Sequence, residues 1–214
     1  MDGGRVDSRA WSAADGLPLT GEPPALDLVN TTFVRGGARG VLVDALRTPG
    51  DLDHWLTAHA PLLGPALRAG LPQDTATPTH LAHFRELRRA LREIAAAHTG
   101  GTVPGAGAVG LVNASARLAG SWQELDPAAG APLRAVTRRV EPDPRLAALG
   151  ELAASGIALF TGEAAGLVRA CPAPGCILYF VRSHGRREWC TATCGNRVRV
   201  ARHSRRQKDG PARP

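Results

Sequence analysis

All four cysteines of this chain fall within 24 positions near its C-terminal end, as Cys171-Pro-Ala-Pro-Gly-Cys176 and then, thirteen residues on, Cys190-Thr-Ala-Thr-Cys194. Two short-spaced pairs, C-x4-C and C-x3-C, follow metal-site arithmetic. Thiolates are soft ligands that hold zinc tetrahedrally at about 2.3 Å, and two such pairs on separate turns close a cage without a large core beneath them. The alternatives are two disulfides or four unrelated buried thiols. Disulfides need an oxidising compartment, and residues 1–30 contain no basic stretch followed by an apolar run of roughly 7 to 15 residues. Unrelated thiols would scatter along 214 residues instead of clustering. Cys171, Cys176, Cys190 and Cys194 are therefore expected to bind one Zn2+. With a full set of four cysteines, His184 and His203 stay outside the ligand set.

The flanking residues carry a further signature. Trp189-Cys190, the tetrad Cys194-Gly195-Asn196-Arg197 and the basic tail after it resemble the CGNR zinc finger. Gly21-Glu-Pro-Pro-Ala-Leu-Asp-Leu-Val-Asn-Thr31 resembles the opening of the ABATE domain that usually precedes that finger. Together the two resemblances cover nearly the whole chain. They imply a stress-induced transcription regulator.

At 214 residues and 43% hydrophobic content, the chain has material for one sizeable core plus a small satellite module. The expected fold is mainly α with a small β component (α+β). A disordered lead over 1–20, where only Trp11 is suited to dock, precedes a helical ABATE-like domain over 21–165. A four-cysteine finger, treble-clef- or ribbon-like, follows over 166–208, with a disordered tail over 209–214. No stretch approaches the roughly 18 uninterrupted apolar residues of a membrane span. No membrane partner is expected, and the location should be cytoplasmic, nucleoid-associated if the protein binds DNA.

The net charge of +7 is unevenly placed. From Gly166 onward, eleven arginines and lysines face only Glu188 and Asp209, while the first 165 residues are slightly acidic. The basicity belongs to the finger. Such asymmetry points to a polyanion, because each neutralised phosphate releases counterions and adds salt-sensitive affinity. The plainer alternative is a solvated basic tail that aids solubility.

Along the chain, Leu26 and Leu28 alternate with polar and small neighbours in a strand-like pattern after Pro23-Pro24. Asp27, Asn30 and Arg35 are candidate ligand-pocket groups, with capping and turn roles as the blander reading. The basic loop Arg35–Gly40 lacks the Lys-Ser/Thr of a phosphate-binding P-loop. Asp51 reads as a helix N-cap. Residues 79–98 form the clearest helix, burying Leu81, Phe84, Leu87, Leu91 and Ile94, with Arg85, Arg88, Arg89 and Arg92 as a solvated flank. Gly105-Ala-Gly107-Ala-Val-Gly110 matches a dinucleotide fingerprint only formally, since no strand leads into it, and is expected as a loop before a helix near Leu111–Leu118. A hairpin is expected over 120–141, and a long helix after Pro144 should close the core.

In the finger, Cys171–Cys176 reads as a knuckle, Ile177–Val181 as a strand, and Trp189 as an aromatic beside the metal. Cys194 should start a helix running to about Arg206. Arg199, Arg202, His203 and Arg206 share one face, Val198, Val200 and Ala201 lie away from it, and Arg197 and Arg205 also fall outside that face, so the segregation is imperfect. All six polar residues are candidate nucleic-acid contacts. Arginine suits that role because its fork pairs with phosphate or with guanine in the major groove.

These features predict a DNA-binding regulator whose partner is nucleic acid, duplex DNA first. The alternative from another class is a structural zinc clip contacting RNA or protein. No activity is expected, because four thiolates leave zinc no open position and no catalytic constellation is visible. The ligand of the N-terminal domain is not legible, and the assembly stays open, with a homodimer as one candidate.

Overall fold

The computed structural model describes residues 21–64, 75–126 and 134–208, the last five as backbone only. The expected disordered lead with Trp11 and the tail over 209–214 lie outside the described residues. Among the described residues the fold is mainly helical with three two-stranded antiparallel sheets.

The segment expected as extended is instead a short helix, α1 (Pro24–Val29). Pro24 takes the first helical turn, where a missing N–H is harmless, and the Leu26 and Asp27 amides close onto the Pro23 carbonyl at 2.8 and 3.1 Å. Its residues Ala25 to Val29 are all at most 1% exposed. A short helix buried on every side leaves no apolar stripe, which is why its alternation resembles that of a strand.

Strands β1 (Thr32–Arg35) and β2 (Val41–Asp44) pair antiparallel, Thr32 opposite Asp44, around a turn in which Gly36 and Gly37 have positive φ. Helix α2 (Pro49–His59) begins with a capping box. Thr48 is the cap, and Asp51, expected in that role, occupies the third helical position and accepts the Thr48 amide at 2.8 Å.

Helix α3 (Pro78–Gly100) packs against α4 (Ala106–Ala116) and α5 (Pro144–Thr161), with α1 wedged between α3 and α5. Leu81, Phe84, Leu87 and Leu91 are buried as expected. Gly105 caps α4, so Gly107 and Gly110 lie inside the helix and not in a loop before it, and residues 102–105 are not strand. Strands β3 (Ser121–Asp126) and β4 (Arg134–Arg139) form the expected hairpin, whose apex over 127–133 lies outside the described residues. It stands outward, leaving Trp122 and Leu125 exposed.

After α5, strand β5 (Val168–Ala170) pairs with β6 (Tyr179–Val181), and α6 (Ala192–Lys208) ends the described chain. No helix among the described residues is long and apolar enough to cross a membrane. The finger is not a satellite. Cys171, Ala173, Leu178, Phe180, Cys190, Cys194 and Val198 belong to the same buried cluster as Leu28, Phe84 and Leu91.

The arginines of α3 correct a second expectation. Arg89 is exposed, but Arg88 is only 9% exposed and clamps Asp44 through both guanidinium nitrogens, at 2.5 and 2.7 Å, while reaching Thr31 at 3.0 Å. Arg92 donates to the carbonyls of Val29, Thr32 and Ile177 at 2.6 to 2.8 Å. Arg85 donates to the carbonyl of Leu46 at 2.9 Å. Three arginines of the presumed solvated flank are thus internal ties.

Arg88→Ala leaves the partly buried Asp44 carboxylate without its main partner, and should lower the urea unfolding free energy by about 2 to 3 kcal/mol, discounted because Asp44 is one-third exposed. Burial raises the Asp44 carboxyl pKa, but hydrogen bonds and charge from Arg88 outweigh it and hold the group below its ordinary value. A depressed carboxyl contributes stability above its unfolded pKa, about 4, and loses it as pH falls through the lower folded value. Asp44→Asn should therefore flatten the stability profile below about pH 4; an unchanged acid limb would contradict the pairing.

Candidate metal centre

The Cys171–Cys176 segment turns tightly, with the Cys176 amide donating to the Ala173 carbonyl at 2.9 Å and the Cys171 amide to Leu178 at 2.9 Å. The second pair sits where α6 begins. There the Cys194 amide donates to the Thr191 hydroxyl at 3.3 Å. All four sulfurs lie within 4.8 Å of one another. Three of the separations are 3.5, 3.7 and 3.8 Å. A tetrahedron with arms of about 2.3 Å has edges of about 3.8 Å, so the face formed by Cys176, Cys190 and Cys194 already has the dimensions of a four-thiolate zinc site, with the Cys171 sulfur within 4.8 Å of each.

Its chemistry asks for a cation. Hydrogen bonds from neighbouring thiols bring Cys171 down to about 6 and push Cys194 well below the usual thiol range. Those same bonds, with burial, push Cys176 and Cys190 up. Crowded sulfurs cannot all ionise alone, whereas a divalent cation lets all four do so. Neither His184 nor His203 joins the cluster, and both are exposed.

The tetrad Cys194–Arg197 explains itself residue by residue. Cys194 points into the cage. A Cβ on Gly195 would sit 2.9 Å from Cδ1 of Trp189, so the glycine lets the indole lie against the start of α6. Asn196 accepts from Arg199. Arg197 donates to the Pro174 carbonyl and to the Cys194 sulfur, both at 3.1 Å. It therefore joins the knuckle to the helix and steadies a thiolate, and stands apart from the outward arginines with which it was grouped.

The N-terminal domain supplies the other half of the support. Gly175, at φ +71°, presses its Cα face onto the turn between β1 and β2, where a Cβ would lie 2.5 Å from Gly37 and Ala38 backbone atoms. That turn is thus a platform for the knuckle. Arg187 gathers the far side, donating to the carbonyls of Val181 and Cys190 at 3.0 and 3.1 Å and pairing with the Glu22 carboxylate. Glu22 also accepts the Val181 amide at 2.9 Å.

The three ligand-pocket candidates have other partners. Asp27 is fully buried against His59 Nε2 at 3.3 Å, and burial raises its carboxyl pKa against the pull of that imidazole. Asn30 spends its amide on the Tyr179 backbone, donating at 2.8 Å and accepting at 3.0 Å, so it is a rivet between α1 and the finger. Arg35 is exposed at the end of β1. Asn30 borders a cleft of about 180 Å3 at the seam, together with Glu22 and Arg187, and neither Asp27 nor Arg35 lines it.

On α6, Val198 is buried while Arg199, Arg202 and His203 are exposed. Val200, expected away from the basic face, is 66% exposed. The side chains of Arg205 and Arg206 lie outside the described residues.

A helical domain sharing its core with a four-cysteine knuckle and a basic helix defines a zinc-finger protein. The chain belongs to the ABATE family, described as "Putative stress-induced transcription regulator", whose model matches residues 22–163, and the CGNR zinc finger model matches residues 168–207. Curated proteins give no match.

Gly175→Ala should cost at least about 2 kcal/mol in urea unfolding, from a positive φ and a backbone overlap together. Gly166→Ala, with nothing within 4 Å of its added methyl, should stay within about 0.5 kcal/mol of wild type. Equal effects at the two glycines would contradict the platform.

Proposed function

We propose that the protein is a zinc-loaded, DNA-binding transcription regulator whose N-terminal domain holds the finger in a fixed orientation. The observation that carries this is helix α6, rooted in the cysteine cage at Cys194 and packed through Val198, with Arg199, Arg202 and His203 turned outward. An ordered helix bearing exposed guanidinium forks suits a duplex, whose phosphates run along both walls of the major groove. The family description supports the regulatory part.

Cys171, Cys176, Cys190 and Cys194 would hold the zinc, and four thiolates around it leave no position for a reacting water. The metal is then structural: it orders α6 and takes no part in a reaction. Arg197 contributes by donating to the Cys194 sulfur, which lowers the charge that the thiolate presents to the ion.

The test is binding of a labelled duplex by the zinc-loaded protein over a salt series, with structured RNA and single-stranded DNA as competitors. Replacing Arg199 and Arg202 with alanine should weaken duplex binding roughly tenfold and flatten the slope of log K against log salt by about 1.8, the value for two phosphate contacts. Stripping the metal with a chelator should abolish binding and reduce α6 helicity together. Unchanged affinity at moderate salt in the double variant contradicts the reading. Preference for structured RNA over the duplex would move it to the RNA class.

A further inference from the structure

Beside the cysteine cage, on the face of the β5–β6 hairpin, lies a cleft of about 460 Å3 whose walls include Arg169, Phe180, Arg182, Arg187, Glu188 and Trp189. The pairing of the hairpin explains how these residues meet. Arg169 stands opposite Phe180 in the ladder. Side chains alternate along a strand, so Arg182, two residues beyond Phe180, falls on the same face. The Arg182 amide continues the pairing by donating to Leu167 at 2.8 Å.

The three guanidiniums are not equivalent. Arg187 is held by Glu22, Val181 and Cys190 and lies over the Phe180 ring at 5.1 Å, so it forms a wall. Arg169 is exposed and uses only Nη1, on the Gly166 and Val168 carbonyls at 2.9 and 2.7 Å. Arg182 is exposed and uses only Nη2, on Gly185 at 2.8 Å. Each keeps N–H groups for an outside acceptor. Glu188 is the one acid on the wall, and Arg187 is already matched by Glu22. Arg169 and Arg182 against Glu188 leave one net positive charge, which favours the single charges of phosphodiesters, one on each guanidinium, over a polyphosphate.

The cleft borders α6 through Trp189. A Cβ on Gly195 would lie 2.9 Å from the Trp189 ring and 3.6 Å from Nη1 of Arg199, so the indole that lines the cleft stands next to the first outward arginine of the helix. Trp189 thus connects a cleft lined by Arg169 and Arg182 to Arg199 on the helix.

We propose that this cleft is a second backbone-binding surface, taking two phosphates of the DNA duplex on Arg169 and Arg182 and a deoxyribose against Trp189. The proposal rests on the DNA reading of α6 and extends it. The helix alone would contact one stretch of the duplex, and a hairpin fixed beside it would set how the helix lies in the groove. Contacts of this kind carry no sequence information, so their loss should weaken all duplexes alike.

The experiment uses the full, zinc-loaded chain and labelled duplexes of two unrelated sequences, with zinc content measured for every variant. Arg169→Ala combined with Arg182→Ala should weaken both duplexes by the same factor, about tenfold at 0.1 M salt, and flatten the salt slope by about 1.8. Arg169→Lys combined with Arg182→Lys should keep the wild-type slope, because lysine still displaces counterions. A wild-type slope in the alanine pair overturns the cleft, and if the Arg199/Arg202 alanine pair weakens binding in the same experiment, the helix reading survives that failure. Weakening by the cleft pair alone supports the cleft and removes the helix. Should the alanine pair lose its zinc, Arg169→Gln combined with Arg182→Gln decides: a flattened slope in zinc-containing glutamine protein supports the proposal, and a wild-type slope overturns it. Tight binding of a free deoxynucleoside monophosphate, with duplex affinity unaffected in the cleft variants, also overturns it.

Discussion

Four sulfur atoms held within 4.8 Å of one another are the constraint on which the finger depends. Each pair of cysteines belongs to a different local structure, one to a proline-and-glycine knuckle and the other to the bend that leads into α6 and the first turn of that helix. Nothing in either segment is long enough to fold on hydrophobic burial alone. A divalent ion coordinated by both pairs would join them and remove the charge repulsion that otherwise drives their acidities apart. The basic helix inherits its position from that junction.

The cage is also braced from outside. Backbone of the β1–β2 turn meets Gly175, Asn30 bonds to Tyr179 in both directions, Arg92 reaches Ile177, and Glu22 closes on Arg187. The contacts of Asn30, Arg92 and Glu22 each use a group from the helical domain to satisfy a backbone or side-chain group of the finger. Buried polar groups need partners, and here the partners come from the neighbouring domain. Arginines therefore do two different jobs. Arg85, Arg88 and Arg92 of α3, with Arg187 and Arg197, are committed to partners within the structure, and Arg169, Arg182, Arg199 and Arg202 are exposed.

Much of this architecture was legible in the residues. Cysteine spacing marked the cage, helical periodicity marked α3 and α5, and turn residues marked the β3–β4 hairpin. What escaped had physical reasons. Helix α1 is buried all round, so a six-residue apolar alternation carried no helical stripe. Arg88 and Arg92 lie four and eight residues after Phe84, on the apolar face of α3, and that spacing was the available signal that they point inward. The roles of Glu22, Asn30 and Arg187 depend on partners 149 to 165 residues away, which no local pattern encodes. The glycine turn at Gly36-Gly37 was visible as a flexible loop, but its use as a platform for Gly175 follows only from the assembled fold.

X-ray absorption at the zinc edge, recorded on purified, reduced, full-length protein, tests the central claim most directly. The account predicts one zinc per chain with four sulfur neighbours at about 2.3 Å and no nitrogen or oxygen in the inner shell. Protein that holds no zinc, or a spectrum requiring a light-atom ligand in place of one of the sulfurs, would contradict it.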